Sequence, residues 1–262
     1  MDLMSILGAL LGIGVVLYVL AIGQMAHFLL NPEALILIFG GTVGSVMISY
    51  PWSAIRFVPA ALKMMIFPPR RPPAMMLIQS FVRLAERARR EGLDALGNEL
   101  QGLPHPFMAD GLQMIMDGLD AETLRDRCER DILVTRHRHL QTSGIFRSAG
   151  TYAPIFGLLG TLIGVVQVLR NITNPSAMGA SMAVAMTASF YGIFSANFLF
   201  LPIANKLAFY SEEEMLNREL IAKGLLSLQQ GEAPWLIAKR LEAYLAFNLR
   251  RGGARRYAKV PA

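Results

Sequence analysis

The sequence predicts an all-α integral membrane protein: four transmembrane helices with a helical cytoplasmic domain, spans three and four extending into the cytoplasm. Three observations lead there. Of the 262 residues, 53% are hydrophobic and 17% charged, against about 25% charged in an ordinary soluble domain. Four uncharged stretches, Leu3 to Gln24, Ala34 to Ile55, Ser148 to Leu169 and Met178 to Asn205, reach the roughly 20 apolar residues a helix needs to cross a hydrocarbon core. Of the 25 Lys and Arg residues, only Arg170 falls in a predicted external turn. Basic residues stay on the cytoplasmic side of short flanking segments, so both termini are expected there.

This divides the chain into four parts: 3–55 holds helices one and two, 56–147 a cytoplasmic helical insert, 148–205 helices three and four, and 206–262 cytoplasmic C-terminal helices and a basic tail. The first apolar stretch has nothing basic before it and no small-residue cleavage site, so it reads as a retained helix. Externally there remain a connection around Met25 to Glu33 and one around Arg170 to Ala177, where Asn174-Pro175 supplies turn chemistry.

After the breaker run PPRRPP, residues 75–101 repeat apolar side chains at helical intervals, with Met76, Ile78, Phe81, Leu84 and Ala88 on one face. A second insert helix is expected from Phe107 to Leu119. A third begins near Asp120, with Glu122 in its first turn where negative charge suits the helix dipole, and runs unbroken into span three. Span four likewise continues to Gly231, and a last amphipathic helix covers Ala233 to Leu249. The tail RRGGARRYAK suits anionic lipid headgroups.

The net charge of +6 is a topological signal. Basic residues interleave with acids and no nucleic-acid-binding motif occurs, so no nucleic-acid partner is expected. Cys128, the lone cysteine, has no partner for a disulfide or paired-thiol metal site and reads as a reduced structural thiol. His137 and His139 point to different helix faces, and His105 is remote from any ligand cluster. No metal, cofactor or enzymatic motif is expected.

Ionisable residues inside a membrane mark ion pathways because burying them is expensive. The spans carry none at depth: Asp2, Glu33 and Arg170 lie at edges. If the chain moves ions, hydroxyls and carbonyls carry them or another subunit supplies a carboxylate. The hydroxyl candidates are Thr161, Thr187 and Ser189. Small and hydroxyl residues also serve close helix packing, so the residues alone admit both roles. Gly157, Gly160 and Gly164 share one face, and Gly40, Gly41 and Gly44 form a similar run in span two. Pro154 and Pro202 remove backbone donors near the margins of spans three and four, permitting hinges.

The span-two sequence LILIFGGTVGSVMISYP, with GTYAPIFGLLGTLIGVVQVL and NPSAMGASMAVAMTASFYGIFSANFLFLPIANKL, closely resembles the MotA/PomA family of flagellar motor stator subunits. ExbB and TolQ are more distant kin with a different span number. The resemblance implies a homopentamer around a dimer of a MotB/PomB-like subunit whose single membrane helix carries the ion-binding aspartate. Proton or sodium flow would turn the pentamer, and its cytoplasmic domain would push on the rotor protein FliG. By position, Pro154 and Pro202 match the two functional prolines, Thr161 a span-three threonine, and Ser189 a span-four threonine, with Thr187 displaced beside it. Arg89 and Arg90 match rotor-facing basic residues. Where many members carry Leu-Glu this chain has Leu96-Gly97, so either Glu99 or Asp94 takes over the acidic contact or the contact rests on the arginines. An ion-driven motor with a non-flagellar load, as in ExbB and TolQ, is the alternative; a purely structural scaffold is the third reading.

Overall fold

A computed structural model describes residues 3–23, 31–68 and 71–245. The expected connection around Met25, the end of the last helix at 246–249 and the basic tail lie outside the described residues. Regular structure among the described residues is helical throughout. Helix α1 covers Leu3–Ile22. Helix α2 runs Pro32–Ser49 and opens on Asn31, whose Oδ1 accepts the Ala34 N–H at 3.2 Å. Pro32 suits the first helical position, where no N–H is needed.

The expected second span, Ala34 to Ile55, ends at Ser49. Proline disfavours helical backbone at the residue before it, and Tyr50, preceding Pro51, is extended at φ −128°, ψ 137°. Beyond Pro51 lie two short helices, α3 at Trp52–Ile55 and α4 at Val58–Ile66.

Helix α5, Ala74–Glu91, is shorter than its periodic pattern. Gly92 ends it at φ 86°, a conformation that costs glycine little and other residues more. The rest of the pattern forms a 3₁₀ segment, Asp94–Gly102. The buried face of α5 centres on Leu77, Ile78, Phe81 and Leu84, while Met76, expected inside, is exposed. Helix α6 is Pro106–Met116, and α7 runs Ala121–Arg170, a single helix of 50 residues. Asp120 accepts the Glu122 and Thr123 N–H groups, both at 3.2 Å. Helix α8 spans Pro175–Gln229 and stops at Gly231, which takes φ 67°. The last helix, α9, is Pro234–Leu241, followed by a 3₁₀ turn where a helix to Leu249 was expected.

By length and composition, α2, α7 and α8 can each cross a membrane. The apolar run Ile6–Ile22 of α1 is shorter. At 50 and 55 residues, α7 and α8 exceed twice the roughly 20 that a hydrocarbon core requires.

The chain divides into two compact units, Met1–Pro69 with Arg138–Tyr210 and Arg70–His137 with Ser211–Ala262. In the second unit, α5, α6, α9 and the adjoining parts of α7 and α8 close around one apolar core. The Phe81 ring lies so near Gly224 that a Cβ there would sit 2.5 Å from it. An ion network joins the start of the unit to α8: Arg71 reaches Glu213 at 3.4 Å and Glu214 at 3.5 Å, and Arg218 pairs with Glu214 at 3.1 Å and with Asp131. Cys128 is buried in this core, and desolvation, helped by Asp131 and Glu129, pushes its thiol up to about 11. That agrees with an inert structural role.

His105, remote from any ligand cluster in the sequence, has a defined structural role. Its Nδ1 accepts the Phe107 N–H at 3.1 Å and caps α6. Burial lowers its pKa most, Arg218 and Arg71 add to that, and Glu214 and Asp110 oppose it. The unfolded chain therefore takes up the proton first as pH falls. This contribution to stability is complete above about 6.5 and drains away below it. Thermal melting of the purified protein should fall from about pH 7 to about pH 5.5 with a slope that His105→Asn reduces, since asparagine caps well without titrating. Identical slopes would remove His105 from the account.

Candidate functional site

Within the first unit a close seam between the apolar halves of α7 and α8 is covered by Ala34 and Ile38 of α2. The chain reverses at Asn174, whose Oδ1 accepts the Ala177 N–H at 3.3 Å, and the two helices then run antiparallel. A Cβ built on Gly164 would lie 2.4 Å from Ala185 Cβ, and one on Gly160 2.4 Å from Ala188 Cβ. On Gly157 it would meet Ala188 O at 3.1 Å, Gly192 Cα at 3.3 Å and Ser189 Cα at 3.4 Å. Gly192, not singled out by sequence reading, is closed in by backbone alone: Ala153 O at 2.7 Å and Gly157 Cα at 2.9 Å. Small residues that let backbones touch are favoured in helix association within lipid.

The span-two glycines divide. Gly41 faces Phe156 of α7, whose ring would sit 2.4 Å from a Cβ, whereas Gly40 and Gly44 have nothing within 4 Å.

The three hydroxyl candidates stand at or beside this seam. Ser189 borders Gly157 directly and is half-buried. Thr161 adjoins Gly160 and donates to Leu158 O at 2.6 Å. Thr187 is buried and donates to Ala183 O at 2.7 Å. A hydroxyl that donates to its own helix keeps oxygen lone pairs that can accept a hydrogen bond or touch a cation. No Asp or Glu occurs from Ala34 to Ala85 or from Arg138 to Tyr210, so the seam has no carboxylate of its own. Among the described residues no cluster of three or more His, Cys, Asp or Glu could hold a metal.

Both prolines leave a trace in the backbone. Pro154 lies inside α7 without interrupting it. Its missing N–H frees the carbonyl one turn back, at Gly150, and a Cβ on Gly150 would be 2.8 Å from Leu201 Cδ2. Leu201 immediately precedes Pro202. Just upstream α8 widens into a π turn, Ala196–Phe200, in which the Leu201 N–H bonds Ala196 O. The carbonyl that Pro154 leaves without its donor, at Gly150, thus lies on the turn packed against Leu201, the residue before Pro202.

Two hydroxyl pairs, missed in the sequence, tie α2 and the segment after it to α7: Ser49 Oγ lies 3.0 Å from Tyr152 Oη, and Tyr50 Oη 2.9 Å from Ser148 Oγ. Tyrosine and serine at span edges gave no periodic signal to mark them.

In the second unit, Arg89 and Arg90 are exposed in the last turn of α5, where positive charge favours the helix dipole. Glu99 is not turned toward them. It pairs with Arg87, which also holds Glu91 at 3.1 Å. Arg87 was not among the sequence candidates, because its partner at 99 lies beyond the Gly92 turn rather than one helical turn away.

Residues 99–220 match the MotA/TolQ/ExbB proton channel family. The chemotaxis protein PomA of Vibrio alginolyticus is 35% identical over 94% of this chain and 96% of its own length. Motility protein A of Bacillus subtilis is 34% identical over 94% of this chain and 91% of its own. The solved structure of the flagellar MotAB stator complex from Bacillus subtilis superposes with a TM-score of 0.86 at 34% identity, covering 97% of this chain and 99% of that one. Matched along nearly its whole length by these relatives, this membrane protein belongs to the MotA/PomA family of flagellar motor stator subunits.

Proposed function

We propose that this chain is the larger subunit of an ion-driven flagellar stator: a homopentamer of four-span subunits in the bacterial inner membrane, both termini cytoplasmic, surrounding a dimer of a MotB/PomB-like partner. The observation that carries the reading is the carboxylate-free seam. Its glycines bring two helices into backbone contact, and its hydroxyls line an edge without any group that can itself bind a proton or neutralise a cation. A partner helix bearing an aspartate supplies that charge, and Thr161, Ser189 and Thr187 provide neutral oxygens around it. Pro154 and Pro202 are the points at which ion occupancy bends the span pair. No cofactor takes part; the transported species is H⁺ or Na⁺.

Torque then reaches the rotor protein FliG through the second unit. Arg89 and Arg90 present exposed positive charge, whereas Glu99 is already engaged by Arg87. The rotor contact is therefore read as basic on this side, with Glu99 released only if Arg87 finds another carboxylate.

Expression in a stator-deleted swimming bacterium tests this. Swimming should return only when this chain and its MotB/PomB-like partner are produced together, and a protonophore plus sodium-free medium should stop it. With the proton gradient held and external sodium removed, persistence assigns H⁺ and arrest assigns Na⁺. Two chains that insert and associate yet never restore swimming would sink the stator reading.

A further inference from the structure

We propose that Arg56, Lys63, Arg147 and Lys206 form a collar that binds the headgroups of anionic phospholipids. The placement comes from a small apolar cluster in the first unit. Ala61 of α4, Phe146 of α7, and Ile203, Ala204 and Leu207 of α8 are buried against one another, which fixes three helices at one level. Lys63 lies two residues from Ala61, Arg147 directly after Phe146, and Lys206 directly before Leu207. Arg56 precedes α4, its guanidinium carbon 4.9 Å from the centre of the Phe57 ring. Arg56, Lys63 and Arg147 are exposed, and Lys206 is half-buried with its ammonium 5.7 Å from the Tyr210 ring centre.

The unit carries a strong excess of positive charge at this level. Glu33, at the opposite end of α2, is the one carboxylate among its described residues. Aromatic side chains complete the surface: Trp52 is 72% exposed and Phe67 63%, on the segment that Pro51 turns away from the α2 axis. The amphipathic ring of Trp52 beside basic side chains is what the headgroup layer accommodates. Each Lys or Arg near an anionic surface adds a comparable increment of attraction. A charge bias that only set topology would be satisfied by basic residues anywhere in the flanking segments. Here Lys63, Arg147 and Lys206 all stand within two residues of members of one packed cluster. The inference rests on membrane placement alone, independent of torque or ion choice.

The test uses the full chain purified with its partner and reconstituted in nanodiscs of mixed phosphatidylglycerol and phosphatidylcholine, with retained lipid read by native mass spectrometry. Phosphatidylglycerol should be enriched over phosphatidylcholine. Arg56→Gln with Lys63→Gln should cut that enrichment about thirtyfold, while Arg170→Gln, at the other end of α7, should leave it unchanged. Arg56→Lys with Lys63→Arg should preserve it, separating charge from misfolding. Equal retention of the two lipids by the unaltered protein would overturn the proposal. So would equal loss in the Arg170 variant, or displacement of the lipid by inorganic phosphate.

Discussion

Gly160→Ala and Gly192→Ala should both abolish swimming, and only the first should be rescued by a second substitution. At Gly160 the obstacle is a single methyl: Ala188 Cβ would stand 2.4 Å from the new carbon, with Leu37 Cδ2 next at 3.3 Å and Ala188 Cα at 3.8 Å. Ala188→Gly removes that methyl; of the other two, Leu37 Cδ2 is the end of a flexible side chain that has to give only a few tenths of an ångström, and Ala188 Cα is at ordinary contact distance. At Gly192 the obstacles are Ala153 O at 2.7 Å, Gly157 Cα at 2.9 Å and Gly157 N at 3.2 Å. These are backbone atoms, which no side-chain change can take away, so the helices themselves must part.

Overpacking of this kind costs about 1–3 kcal/mol where neighbours can shift, and more where they cannot. The melting temperature of the purified complex should drop in both single variants and recover in the Gly160→Ala, Ala188→Gly pair. A double-mutant cycle measures the coupling directly. Gly44→Ala is the control, since a Cβ there meets none of the described residues within 4 Å outside its own stretch of helix. If Gly192→Ala swims normally at unaltered membrane levels, the close seam is not required for function.

The features legible in the sequence are those that depend on local chemistry. The stop at Gly231 was read from its glycine, and the starts at Asn31-Pro32 and Asn174-Pro175 are also written locally, in caps, although hydropathy placed the beginnings of those spans at Ala34 and Met178. The glycine face on span three was legible from spacing, but its counterpart Gly192 was not, because a glycine announces its neighbour only through tertiary register. The end of α2 was misplaced although Pro51 stood in plain view: hydropathy continues to Ile55 while the backbone obeys the proline. Likewise Gly92 overrode an apolar period that runs on to residue 101. The Arg87–Glu99 pair and the His105 cap depend on turns between elements, where no period operates. The MotA/PomA resemblance lay in the α7 and α8 block, and the relatives matched over the whole chain agree with it.

The π turn of α8 depended on the least legible physics, and it yields the second large effect. Pro202→Ala should reduce swimming strongly while leaving melting unchanged or higher, the reverse of the glycine variants. Pro202 cannot donate to Phe198, and the preceding donor, Leu201 N–H, reaches back five residues to Ala196 O instead of four. An alanine at 202 restores the missing donor and removes a residue that costs roughly 3 kcal/mol in a helix interior. The turn is then free to tighten to α geometry. Absorbing one extra residue rotates the downstream part of the helix by about 100° relative to the upstream part. That rotation would carry Leu201 off Gly150 and turn Ile203, Ala204 and Leu207 out of their cluster with Phe146 and Ala61. Burial of those side chains opposes the change, so the altered helix is pulled between two registers where the natural one has a single choice. In the proposed mechanism, where ion occupancy bends the span pair, that choice has to be set by the ion and not by the backbone. Full swimming with unaltered melting in Pro202→Ala would mean that the widened turn is held by packing alone and that the proline is a passenger.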